Sequence, residues 1–506
     1  MSLLGIDIGT TGCKACAFSN NGEVLAYAYR EYCMEAKGHG IYELDPEIVW
    51  GKVKEIIQQV NKNLKHDFIE SLCLSVSGDE VIPMDINGNC LHHVIMSADI
   101  RGEQSNKFLI DGIGKETIYK TTGIPPHRKY GINRVLWYKN NLPELYKKTW
   151  RFLTWEDFIY YKLGIIDPVC SISSLARLMI INIKTGGPAQ ELLDYAKIDL
   201  EKFSPSIETG KIIEPISKKI ARELMFVGEP LIIAGGFDQS FAAFGAGVYR
   251  QGDAVISTGT MESLSICNNR PFSSNQLMKG NYPCNIHVLP RTYNCTATNV
   301  CGGGMLKWLR DTICEEERQQ SEKNQKNVYD LILSGLKYKP TGLLVLPHFS
   351  GSGPPSKDSD SLGAILGLSF KHKKKDIIQA VIEGVTFELM QNIENVEKGA
   401  NVKIETLRAV GGGADSQYWL KLKADMIGKP IWKTAVKEAG CISGAMLCWL
   451  ALSKGSGVEE AVSTFVKIDK IVEPDMVRHN QYMDLYELYK RVYPNIKEIS
   501  HGLSVN

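Results

Sequence analysis

Two carboxylates stand where a chain rarely places charge. Asp7 lies in the short apolar strand Leu3-Leu-Gly-Ile-Asp-Ile8, just ahead of Gly9-Thr-Thr-Gly12. Asp238 follows the apolar run Pro230-Leu-Ile-Ile-Ala234 in the stretch Gly235-Gly-Phe-Asp-Gln239. An acid at the end of a buried strand, beside glycine backbone, can cap a helix, hold a metal or take a proton. Three glycine-bearing turns accompany the pair: Gly9-Thr-Thr, Gly259-Thr and Gly411-Gly-Gly413. Glycine lets backbone approach a phosphate without a Cβ clash, and threonine adds a hydroxyl donor beside the N–H groups. Asp7 is placed to orient Mg²⁺ through its waters, because magnesium keeps several waters and uses few carboxylates. Lys14 can neutralise a phosphate. A Walker-type GxxxxGKS/T sequence is absent, so any nucleotide is held in another way. Singly, each turn reads as structural; together with Asp238 they tip toward function.

The elements that must position these residues repeat. Leu3 to Ile8, a Gly-Thr turn and Cys13 to Phe18 read as a β-hairpin, continued by Val24 to Tyr29 after the turn Asn20-Asn-Gly22. Gly252 to Ser257, Thr258-Gly-Thr260 and Ser263 to Cys267 follow the same grammar, which points to a duplicated fold. Apolar residues Ile378, Ile382, Val385, Leu389, Ile393 and Val396 predict a helix over 375–398, stopped at Gly399. A strand around Leu407 to Val410, three glycines and an amphipathic segment Tyr418 to Met426 form a unit that brings backbone to a ligand at a helix N-terminus. The polar run from Glu315 reads as a solvated helix or loop, and Lys371 to Lys375 as a solvated face.

At 506 residues the chain exceeds one hydrophobic core, and two domains are expected, 1–245 and 246–506. A net charge of +1 gives no reason to expect nucleic acid or an anionic membrane as a partner. No signal peptide and no apolar stretch of membrane-spanning length is read. Thirteen scattered cysteines read as reduced thiols, so a cytoplasmic location is expected. Cys13 and Cys16 form a lone CxxC inside a predicted strand, which favours packing over zinc or redox chemistry.

In chain order, the segments Asp7-Ile-Gly-Thr-Thr11, Gly235-Gly-Phe-Asp-Gln239, Ser257-Thr-Gly-Thr260, Gly302-Gly-Gly-Met-Leu-Lys-Trp-Leu-Arg-Asp311, Leu343-Leu-Val-Leu-Pro347, Gly363-Ala-Ile-Leu-Gly-Leu368, Glu383-Gly-Val-Thr-Phe387 and Gly411-Gly-Gly-Ala414 resemble the FGGY family of carbohydrate kinases. The resemblance runs from residue 3 to about residue 450 and implies an α/β architecture. Two ribonuclease-H-like domains of the actin, sugar-kinase and heat-shock ATPase type would flank a catalytic cleft. The sugar would lie mainly on the first domain and ATP mainly on the second. It implies Asp238 as general base toward the sugar hydroxyl and Gln239 as holder of a neighbouring hydroxyl. Thr10, Thr11 and Lys14 match the first phosphate hairpin, and Gly259 and Thr260 the second. Gly303 and Lys307 match contacts to the phosphates and ribose, and Gly413 and Gln417 the adenine end. Family members are often dimers, so a homodimer is allowed.

The acceptor side departs from the family. Where xylulose kinases carry Ser-Gly-Gln-Met-His-Gly, this chain reads Ser75-Val-Ser-Gly-Asp-Glu80. Asp79 and Glu80 are expected to accept hydrogen bonds from sugar hydroxyls and to disfavour an anionic substrate; the alternative is that they are solvated turn residues. In the Trp-x-Asp-x-Arg element Ser97 replaces tryptophan, while Asp99 and Arg101 remain, and Arg101 is expected at the substrate. Lys-x-x-Trp appears as Arg134-Val-Leu-Trp137, with arginine and lysine not equivalent donors. The expected reaction is phosphorylation of a primary hydroxyl of a small ketose, foremost a pentulose such as xylulose. Glycerol, erythritol, ribulose or a deoxyketose are the alternatives as substrates, and a catalytically idle sensor or an actin-like assembly ATPase as functions.

Overall fold

The opening hairpin forms where the alternation of residues places it. Ser2–Ile8 (β1), Gly12–Phe18 (β2) and Val24–Glu31 (β3) run antiparallel in the computed structural model, which describes residues 1–64 and 67–504. β3 is an edge strand, with buried Ala26 and Ala28 alternating with exposed Tyr27 and Tyr29. Ile69–Val76 (β4) pairs parallel to β1, and Ile212–Pro215 (β5) closes the far edge against Leu231–Phe237 (β6), itself parallel to β4. The sheet order is β5-β6-β4-β1-β2-β3.

The second half repeats this arrangement. Asp253–Thr258 (β7) and Glu262–Asn268 (β8) form the second hairpin, and Cys284–Ile286 (β9) and Tyr293–Asn299 (β10) extend it antiparallel. Thr406–Val410 (β11) and Ile431–Thr434 (β12) add parallel to β7, and Ile468–Val472 (β13) closes the edge antiparallel. The core order β10-β8-β7-β11-β12 has the same pairing senses as β3-β2-β1-β4-β6. Each half is thus a mixed sheet with helices packed on it, the second repeating the first.

The expected long helix spans Lys374–Ala400 and ends at Asn401 in the left-handed region. Tyr418 to Met426 lie in the helix Gln417–Ile427, and the run from Glu315 is a helix to Asn324. Cys13 and Cys16 are both buried in β2, and all thirteen cysteines are free thiols. No described helix is long and apolar enough to cross a membrane.

The halves share one core. The helix Ala439–Ala451, late in the chain, packs on β1 and β4 of the first sheet and on the helix Asp238–Gly245. Leu3, Phe18, Ile233, Phe241 and Phe244 meet Ile442, Met446, Trp449 and Phe465 there. The crossing is close because glycine faces glycine: a Cβ on Gly444 would lie 3.0 Å from the Cα of Gly5. A Cβ on Gly5 would lie 1.9 Å from the Cys441 carbonyl oxygen, so the crossing cannot accommodate even alanine without backbone movement. Gly5→Ala should therefore lower the thermal midpoint, overpacking costing about 1–3 kcal/mol. Gly51→Ala, whose Cβ meets nothing within 4 Å, is the control and should hold or raise it. Equal midpoints for the two variants would reject the shared core as a strict packing constraint.

Candidate active site

Asp238 is the first residue of the helix Asp238–Gly245, immediately after β6. The strand reaches that point through a bulge, its register to β4 shifting between Ile233 and Gly236. Glycine is required there: a Cβ on Gly235 would lie 1.9 Å from the Leu74 carbonyl oxygen. Gly235 N–H donates to the Tyr160 hydroxyl at 2.8 Å, and Phe237 N–H to Ser173 Oγ at 3.1 Å. The junction is therefore held from both sides while Asp238 projects into a cavity of about 790 Å³. Its helix is capped by Phe237, which offers no side-chain cap, so the carboxylate is not spent on capping. Oδ1 is shielded from solvent and has no hydrogen-bond partner. Burial pushes the carboxyl up to about 8, reinforced by Asp7 and Asp79 and opposed by Arg177.

Both halves line the cavity. Thr10, Asp79, Asp238 and Gln239 come from the first half, and Gly259 and Thr260 from the second. Gly9 N–H bonds the Gly12 carbonyl at 3.0 Å, and the Tyr32 hydroxyl donates to Gly9 O at 2.6 Å, fixing the first turn with Thr11 exposed. Asp7 and Lys14 are cross-strand partners behind it, 3.2 Å apart, and Lys14 also pairs with Glu438 at 2.8 Å. Burial opposes charge on Lys14, but Asp7 and then Glu438 outweigh it and raise its pKa. Ser75 Oγ donates to Asp7 Oδ1 at 2.5 Å.

The second turn is braced by the glycine run that follows β10. Gly303 N–H donates to Gly259 O at 2.7 Å and Gly304 N–H to Thr260 O at 2.9 Å. Below it Glu262 accepts from the Thr258 hydroxyl at 2.8 Å and pairs with the buried Lys423. Gly413 packs under Thr258, where a Cβ would come within 2.4 Å of Thr258 Cγ2. Lys307 and Gln417 are exposed, and neither they nor Gly303 and Gly413 line this cavity.

The acceptor side differs from expectation at two residues. Glu80 is buried, bonded to Ser77 Oγ at 2.7 Å, and does not line the cavity. Arg101 is locked to Asp99 and Glu43, each at 2.8 Å, with its guanidinium 4.9 Å from the Trp137 ring, and is also outside the lining. The donors of Arg101 are taken by Asp99 and Glu43, whereas Glu80 keeps Oε1 buried without a partner away from the cavity. Arg134 is likewise buried, donating to the Ile95 and Met96 carbonyls at 2.8 and 2.7 Å.

Asp79 does line the cavity, but its charge is spent. Arg177 holds its Oδ1 at 2.6 Å and Lys129 its Oδ2 at 3.0 Å. Burial alone would raise this carboxyl; Arg177 and then Lys129 hold it down to about 2. Asp79 is therefore not a free acid: with Arg177 and Lys129 it forms a trio of one negative and two positive groups. Arg177 lies 4.3 Å above the Phe237 ring and 4.9 Å from Tyr130, and reaches Asn285 of the second half at 2.8 Å. Gly78 makes room for it, since a Cβ there would fall 2.6 Å from Phe237 and 2.8 Å from the Arg177 side chain. Sequence reasoning passed over Arg177, although a lone arginine in the apolar run Leu175-Ala-Arg-Leu-Met-Ile-Ile181 is the same kind of signal as Asp238.

The pattern of the FGGY family of carbohydrate kinases, N-terminal domain, matches residues 2–245, and that of its C-terminal domain residues 254–452. The chain is 25% identical to the xylulose kinase of Staphylococcus epidermidis, over 99% of this chain and 98% of that one. It is 24% identical to the gluconokinase of Bacillus subtilis, over 99% and 96%. The crystal structure of ligand-bound xylulose kinase from Lactobacillus acidophilus superposes with a TM-score of 0.88 at 24% identity, covering 98% of both chains.

A shielded acid has a measurable cost. Because the folded pKa of Asp238 is raised, its stabilisation is complete below the unfolded-state value of about 3.9 and is lost as pH rises through about 8. Asp238→Asn keeps the shape without the charge. Its thermal midpoint should exceed that of the wild type at pH 8 and converge with it near pH 4. Coincident midpoints at pH 8 would mean that the carboxylate is solvated.

Proposed function

The chain belongs to the FGGY family of carbohydrate kinases, and from that premise we propose that Asp238 takes the proton of a primary hydroxyl on a small open-chain sugar as that oxygen attacks the γ-phosphorus of ATP. The chain is an ATP-dependent sugar kinase. The new bond joins the sugar oxygen to phosphorus, the bond from phosphorus to the ADP oxygen breaks, and the proton passes to Asp238 and then to solvent. The single observation that carries this assignment is the partnerless Oδ1 of Asp238 in a cavity that both Gly-Thr hairpins line. A raised pKa suits the role, because a base works best when its pKa lies near the operating pH.

On this reading residues 1–245 carry the acceptor and 246–506 the nucleotide. Gln239, at the cavity wall, orients the sugar. Thr10, Thr11, Gly259 and Thr260 present hydroxyl and N–H donors to the phosphates, with Gly303 bracing the second turn. Lys14 adds positive charge behind the first turn, and Lys307, Gly413 and Gln417 serve the outer part of the nucleotide. Asp7 is the residue that would hold Mg²⁺. Its surroundings fit an ion that keeps its waters: one carboxylate, already bonded to Ser75 and Lys14, with no group of three His, Cys, Asp or Glu ligands among the described residues. When bound with the nucleotide, the ion would neutralise phosphate charge.

The name of the S. epidermidis relative supports a pentulose of the xylulose type as acceptor. A second reading, an acidic sugar, is favoured by the cationic cluster around Asp79.

ADP release over a panel of ketoses, polyols and sugar acids tests the reaction. Asp238→Asn should cut turnover by about 10²–10⁴-fold, and an active variant would remove the assigned base. In the wild type, kcat/KM should climb tenfold per pH unit until about 8. Asp7→Asn removes a charge that raises the Asp238 pKa and should move that limb to lower pH. Uniform inactivity across the panel would favour a sugar- and nucleotide-binding sensor.

A further inference from the structure

One cation of the cleft has no acid beside it. Lys357, on the loop that follows the strand Leu344–Leu346, lines the same cavity as Asp238. Among the described residues its ammonium has no ion pair and no hydrogen bond, whereas Lys14, Lys129 and Arg177 are all paired. The backbone presents it deliberately. Lys357 sits at φ 46°, in the left-handed region that a side chain rarely adopts. Its N–H is tied to the Gly353 carbonyl at 2.7 Å. The next residue, Asp358, is anchored to the C-terminal helix Val492–Ser504 through Tyr493 at 2.7 Å and His501 at 2.6 Å.

The charged groups follow one another in order across the cavity. Asp238 is close enough to both Asp7 and Asp79 for each to raise its pKa. Beyond Asp79 lies Lys129, at 3.0 Å, and Lys129 is in turn a near neighbour of Lys357. Lys129 and Lys357 thus line the cavity on the side of Asp79, which also holds Arg177. His127, between them, does not add charge, since burial, Lys357 and Lys129 push it down to about 3. Burial, then Lys129 and Lys115, push the Lys357 ammonium down to about 8.

We infer that Lys357 of the second half and Lys129 of the first form a subsite for an anionic group, carboxylate in chemistry, at the end of the sugar remote from the phosphorylated hydroxyl. The acceptor is then a sugar acid of five or six carbons. A neutral ketose would leave Lys357 uncompensated once the cleft excludes water, whereas a carboxylate gives each ammonium a short charge-assisted hydrogen bond. Since the two lysines come from different halves, the acid also draws the halves together. Asp79 does not compete for Lys357, because both of its oxygens are taken.

This inference rests on the kinase reading, and the test separates the two. ADP release is measured with D-gluconate, D-xylulose, glycerol and a sugar monophosphate. The acid should exceed the neutral sugars in kcat/KM by at least tenfold, and its advantage should shrink as salt rises. Lys357→Gln should raise the KM for gluconate at least tenfold, with kcat changing less than threefold. A preference for xylulose or glycerol, a monophosphate superior to the acid, or a rise in the KM for ATP in place of gluconate would overturn the inference. If no acceptor releases ADP, the kinase reading fails by itself. Calorimetric binding of gluconate to wild type and to Lys357→Gln then decides the subsite, equal affinity sinking it.

Discussion

The cavity between the halves is organised around a carboxylate oxygen, Asp238 Oδ1, that faces it without a partner. A buried polar atom with no hydrogen bond is costly, so the surroundings of Asp238 must over-determine its place. They do so through backbone. β6 bulges against β4 at glycines that no other residue could replace. Tyr160 and Ser173 pin the backbone on either side, and the helix that starts at Asp238 leaves the carboxylate free. The residual cost appears as a proton held more tightly than an ordinary carboxyl would hold it.

Around that oxygen, charge is arranged in pairs that restrain one another. Lys14 lies between Asp7 and Glu438, and Asp79 between Arg177 and Lys129. Glu438 belongs to the second half of the chain and so does Asn285, which receives Arg177. The first hairpin and the wall that holds Asp79 are thus each steadied by a group from across the cleft. The buried Arg177–Asp79 pair is a poor source of net stability but costly to break, about 3–5 kcal/mol when one partner is removed. The partly exposed Lys14 and Lys129 pairs hold position at lower energy. That property suits a site where position matters more than strength.

The shared core beneath the cleft gives these pairs a fixed frame. The helix Ala439–Ala451 can lie on β1 and β4 only because Gly5 and Gly444 let backbones approach. Packing at that density transmits position with little slack. The two sheets, alike in strand order, therefore face one cavity with their hairpin turns.

Much of this was legible in the sequence. Short apolar strands and Gly-Thr turns located both hairpins, the three- and four-residue spacing located the helix over Lys374–Ala400, and a charge in or after an apolar run singled out Asp7 and Asp238. These signals are local, and local backbone chemistry is what a linear chain displays. What the chain could not display was which charges meet. Asp79 looked like a free acid because Arg177 is far from it in sequence, and Lys357 lies much further along the chain from Lys129. Glu80 and Arg101 looked available because their partners Ser77, Asp99 and Glu43 become partners only when the backbone folds. Net charge in a cleft is a sum over neighbours, and folding alone chooses the neighbours; residue type and spacing carried the marks of the family, and tertiary structure decided which charges meet in the cavity.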